Sequence, residues 1–180
     1  MMSNTLKSTG MKKAVLGIDP GKDGAMVLLT EDAGIISKFV SPKIGKEIDI
    51  ASYVREMAAI KQFCEDNGYQ LMAFLENVHA IHGASAVSTF EFGGAAYMAR
   101  TSLICHGIPH IKINPKQWQK FCWMGIRLQK SPKDNSRLAA MNLFPNEDFK
   151  DKGKRVPHDG LIDATLIAFY GLNYGKSKDM

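Results

Sequence analysis

The sequence predicts an α/β protein with a mixed β-sheet flanked by α-helices. Three strand-like segments separated by tight turns open the chain, and helix and strand patterns alternate after them. Between the helices, Leu71-Met72-Ala73-Phe74-Leu75 is a continuous apolar run of strand length. Such a run marks a strand covered on both faces, as in the middle of a helix-flanked sheet.

The opening strands are Lys13–Ile18, Ala25–Thr30 and Gly34–Val40, with turns at Pro20–Gly24 and Glu31–Gly34, an antiparallel meander. Ser41–Ile48 reads as a polar loop. Asp49 opens a helix to about Asn67, where Tyr53, Met57, Ile60 and Cys64 recur at helical spacing and Asn67-Gly68 supplies the stop. The Leu71–Leu75 strand runs out in Glu76-Asn77-Val78. A polar loop with His79 and His82 then leads to a long helix, about Ala84 to Cys105, rich in Ala and Gly. His110–Asn114 gives a short strand, and Pro115 suits the first position of a helix carrying Trp118, Phe121 and Cys122. Ser131-Pro132-Lys133-Asp134 opens a helix through Asn142. Pro145–Pro157 is charged and loop-like, and Asp159 to about Tyr170 is an apolar helix.

With 180 residues the chain suits one domain, expected over 12–175 after a polar, disordered leader at 1–11. No apolar run approaches the roughly 20 residues needed to cross a bilayer, so no membrane partner is expected. Cys64, Cys105 and Cys122 are widely spaced with no Cys-x-x-Cys pair, which argues for reduced thiols in a cytoplasmic protein and against a zinc site. The net charge of +5 is uneven. Residues 112–155 hold eleven Lys/Arg against four acids, a surplus of seven, so the rest is slightly acidic. Such a field suits a polyanion, and the residues expected to meet DNA are Lys116, Lys120, Arg127, Lys130, Lys133, Arg137, Lys152, Lys154 and Arg155.

Three acidic sites carry the chemistry. Asp19 ends the first strand in Gly17-Ile18-Asp19-Pro20-Gly21, where glycines admit close approach. Glu76 ends a buried strand at the edge where α/β sheets place their sites. Asp159 and Asp163 are four apart on one helix face, and Asp163 lies among Leu161, Ile162, Ala164 and Leu166, where an unpaired charge is costly. A hard divalent cation such as magnesium would relieve that cost, and two such ions support phosphodiester hydrolysis.

These pieces resemble the RuvC-type Holliday junction resolvases of the ribonuclease H-like superfamily, most closely the compact bacteriophage versions. The anchors are Gly17-Ile18-Asp19-Pro20-Gly21, Leu75-Glu76-Asn77-Val78 and His158-Asp159-Gly160-x-x-Asp163-Ala164. Between them stand Ser88-Thr89-Phe90-Glu91-Phe92-Gly93, Gly107-Ile108-Pro109 and Asn114-Pro115-x-x-Trp118. The resemblance implies a ribonuclease H-like mixed sheet, the antiparallel meander continued by parallel strands. It also implies a homodimer that cuts four-way DNA junctions by paired symmetric nicks with Mg2+, Mn2+ being an expected substitute, in a host cytoplasm if phage-encoded. Asp19, Glu76 and Asp163 match the metal ligands. Many relatives place the fourth three residues before the last Asp, where this chain has Gly160; Asp159 is the favoured candidate and His158 the other. Lys116 matches a DNA-contacting basic residue, and Phe90 lies where relatives wedge the junction open. The rival expectations are a branched-DNA, flap or RNA nuclease of the same superfamily, and a junction-binding protein without catalysis.

Overall fold

The computed structural model describes residues 12–78 and 85–174, so the leader, His79 and His82 lie outside the described residues. The meander forms as expected from β1 (Lys12–Asp19), β2 (Ala25–Thr30) and β3 (Gly34–Val40). Helix α1 (Ile50–Asp66) follows, then β6 (Tyr69–Glu76), α2 (Ala86–Cys105), β7 (His110–Ile113), α3 (Pro115–Cys122), α4 (Pro132–Leu143) and α5 (Asp159–Leu172). The expected polar loop at 41–48 instead contains a two-stranded hairpin, β4 (Lys43–Ile44) and β5 (Glu47–Ile48), turning at Gly45 with φ +62°. Two-residue strands carry too little pattern to be read from sequence. The long helix is capped at Ala86 by the Ser85 hydroxyl, which accepts from the Ser88 N–H, while Ala84, where the sequence reading begins it, lies outside the described residues.

The five-stranded sheet has the order β3-β2-β1-β6-β7. Strand β1 pairs antiparallel with β2 and parallel with β6, and β6 pairs parallel with β7. Pairing on both sides buries β1 between Ala14 and Ile18, which explains its unbroken apolar run. Alternation divides the core between the two faces of the sheet. Val15, Val27, Leu29 and Phe74 pack with α3, α4 and α5, while Leu16, Ile18, Met26, Leu28, Ala73 and Leu75 pack with α1 and α2.

The same alternation places the acids. Asp19 is four residues on from Val15 and Glu76 two on from Phe74, so both belong to the α5 side of the sheet at its C-terminal edge. Helix α5 lies directly on β1. A Cβ added at Gly17 would overlap the Ala164 carbonyl oxygen and stand 2.5 Å from the Ala168 nitrogen, so only glycine permits this approach. The 145–157 stretch is irregular, as expected, yet Phe149 is buried in the core and Lys150 bridges to Pro157.

Candidate active site

At that edge an open cleft of about 680 Å³ is lined by Asp19, His158, Asp159 and Asp163, together with Lys133, Arg137 and Phe92. Four elements deliver these groups: β1 ends in Asp19, α5 begins with Asp159 and Asp163, α4 carries Lys133 and Arg137, and α2 brings Phe92 against Gly21. Glu76 lines a separate hollow of about 140 Å³ with Tyr97, Arg100 and Lys112.

Three of the four carboxylates are raised, each chiefly by burial. Burial pushes Asp19 well above the usual carboxylate range, and the charges of Glu76, Asp163 and Asp159 push it further. Burial likewise raises Asp163 to about 7; Glu76 and Asp159 add to the rise, while the Ser136 hydroxyl and Lys133 oppose it. Glu76 is raised by burial, offset by the hydrogen bond that Trp118 Nε1 donates to its Oε1 at 2.9 Å. Asp163 Oδ1 is buried with no hydrogen-bond partner. Acids sharing a site with an orphaned oxygen have the donor chemistry of a hard-cation site. Among the described residues, however, no three His, Cys, Asp or Glu side chains are gathered closely enough to hold an ion as they stand.

Asp159 differs from the others. Burial alone would raise it, but Lys133 and Arg137 outweigh burial and hold it below the usual range. Arg137 Nη2 donates to Oδ1 at 2.7 Å, and Lys133 Nζ lies 2.9 Å from Oδ2. His158 caps α5, its Nδ1 accepting from the Leu161 N–H at 3.3 Å. With Nδ1 used as an acceptor, a neutral ring carries its proton on Nε2 and acts there as a donor. Gly160 is closed to any side chain, since a Cβ there would stand 2.5 Å from the Asp23 carbonyl oxygen. The turn after β1 occupies the space that an acid at this position would need.

The expected DNA contacts separate. Lys133 and Arg137 line the cleft; Lys116 and Lys120 are exposed on α3, Arg127 and Lys130 are exposed between α3 and α4, and Lys152, Lys154 and Arg155 are exposed ahead of α5. Phe90 is 82% exposed on α2. Three residues beside Glu76 escaped the sequence reading. Trp118 is 1% exposed, and its indole N–H holds Glu76. Arg100 and Lys112 sit on α2 and β7, and only the pairing of Lys112 with Leu75, next to Glu76, could have flagged one of them.

No protein-family model matches the chain, and neither does any curated protein sequence. Solved structures do match. The fold, with its mixed five-stranded sheet, is that of solved RuvC structures. Among the structures it resembles are T. thermophilus RuvC in complex with a Holliday junction substrate and a second Thermus thermophilus RuvC structure. The first is 17% identical with a TM-score of 0.60, the second 18% identical with a TM-score of 0.54. Each match covers 92% of this chain and 96% of the other.

Proposed function

We propose that this protein is a divalent-metal-dependent DNA endonuclease that resolves four-way junctions as a homodimer by paired symmetric phosphodiester hydrolysis. One observation carries the reading: on a RuvC fold, part-buried carboxylates from β1 and α5 meet in one cleft, where the charge of Asp163 raises Asp19 and one oxygen of Asp163 is left unpartnered. A binder of DNA without catalysis gains nothing from acids facing phosphate.

Asp19, Glu76 and Asp163 would hold magnesium, with manganese an expected substitute. When bound, the metal neutralises charge at the scissile phosphate and activates water. The chain's own groups do the rest. Trp118 orients Glu76 through its N–H. Lys133 and Arg137 meet backbone phosphate, and His158 offers a donor to the same cleft. The cations exposed around α3 and ahead of α5 extend the contact to the junction arms.

A second copy would dock on α2. Val87, Phe90, Tyr97 and Ile104 are exposed at 67%, 82%, 70% and 59% and recur at spacings of three, seven and seven, a seam that a like helix covers. Two active sites in a symmetric pair would meet two symmetric strands. Such work on DNA belongs in the cytoplasm. Among the described residues no helix is long and apolar enough to cross a membrane.

The test is cleavage of an end-labelled mobile four-way junction beside linear duplex and a flap, with and without magnesium. Paired symmetric nicks on the junction alone support the reading. Cuts across flap and duplex would make it a general branched-DNA nuclease, and tight binding without a cut would make it a junction binder.

A further inference from the structure

The two acids that α5 brings to the cleft have different partners. Asp163 keeps a buried oxygen with none, whereas both oxygens of Asp159 are taken by cations, Oδ1 by Arg137 at 2.7 Å and Oδ2 by Lys133 at 2.9 Å. Both cations stand on α4, four residues apart and so on one helix face, and both line the same cleft as Asp19. Neither is used up by the pairing. Arg137 Nε is buried without a hydrogen-bond partner, and its remaining acidic neighbour, Asp134, is 3.9 Å away. An ammonium has three donors, and the ion pair of Lys133 with Asp159 engages a single direction. A dication at Asp159 would have to displace both cations, against their charge as well as their hydrogen bonds.

We infer that Asp159 is a positioning residue and not a metal ligand: it holds Lys133 and Arg137 against the cleft wall as a seat for a backbone phosphate of the bound strand. Two cations anchored at one carboxylate present a paired donor surface, the chemistry that recognises phosphate oxygens. The backbone contact at Gly160 points the same way. The turn after β1 closes the position where a further acid ligand could stand, and Asp159, one residue earlier, faces α4.

The inference rests on the metal-dependent nuclease reading, and the test keeps the two apart. Magnesium is titrated calorimetrically into DNA-free full-length protein, comparing the native chain with Asp159→Asn and Asp163→Asn. Junction cleavage is then measured for Asp159→Asn, Arg137→Ala and the double variant at saturating magnesium. The expected result is magnesium affinity within about threefold of native for Asp159→Asn and a loss of at least about tenfold for Asp163→Asn. A lost charge-assisted anchor predicts a fall in cleavage on the order of 10- to 100-fold for Asp159→Asn. The double variant should fall below Arg137→Ala by less than the full loss seen in Asp159→Asn, since Asp159 acts partly through Arg137 and partly through Lys133. Loss of magnesium binding in Asp159→Asn to the extent seen in Asp163→Asn would overturn the inference, as would additive effects in the double variant. Native magnesium affinity in both single variants would instead sink the metal reading on which it rests. Asp159→Ser, read in the same titration, guards against a folding defect peculiar to the amide.

Discussion

Asp163→Asn replaces a carboxyl pushed up to about 7 in the folded chain, against an ordinary value of 3.8, by a neutral group of the same shape. Because the folded pKa is the higher one, the folded state holds the proton more tightly, and ionising Asp163 opposes folding. The cost is nearly absent below about pH 4, grows as pH rises toward about 7 and is complete above it. The two values give a cost of about 2 kcal/mol at pH 5 and about 4 kcal/mol at pH 8, an upper bound because relaxation of the site absorbs part of it. In the presence of a chelator, Asp163→Asn should therefore exceed the native chain in stability, by a margin that roughly doubles between these pH values. Urea unfolding at pH 5 and pH 8, read as a shift of midpoint at constant slope, measures it. Excess magnesium should restore the native chain at pH 8 and leave the variant unchanged, since only a ligand bound to the folded state stabilises it. A margin that stays flat between pH 5 and pH 8 would refute the claim that burial holds the Asp163 carboxyl above its ordinary range.

Gly17→Val puts a side chain where the Ala164 carbonyl oxygen already stands, and should cost more than about 3 kcal/mol; a melting temperature within a few degrees of native would disprove the contact. Trp118→Phe keeps an aromatic ring and removes the donor to Glu76. Cleavage should fall on the order of tenfold, and the acid limb of the pH–rate profile should move up as Glu76 rises; an unmoved limb would mean the indole only packs. Tyr97→Glu combined with Ile104→Glu should convert a dimer to a monomer in sedimentation, and persistence of the dimer would move the interface off α2.

The sheet and its helices were legible because each strand carries its own signal. The apolar runs of β1 and β6 give the buried centre, and counting by twos from Val15 and Phe74 sends Asp19 and Glu76 to one face. The rest depends on partners far along the chain. Asp159 finds Arg137 across 22 residues and Glu76 finds Trp118 across 42, and neither pairing leaves a local pattern. Spacing alone made Asp159 a companion of Asp163 on one helix face, without showing that α4 supplies it with cations. Phe149 lies in a charged stretch, and its burial with α5 and β2 residues comes from long-range packing that its neighbours in sequence do not encode.

The contact of α5 with β1 also acts as a gauge. Gly17 lies two residues before Asp19, and Ala164 one residue after Asp163, so the backbone touch between them sets how far apart the two carboxylates stand. The reach of the site is thus fixed from inside the core, at a position that never meets solvent or substrate. A lineage or a designer wishing to retune that reach has its lever there: change the bulk between strand and helix, and the tips move while every reacting group keeps its identity.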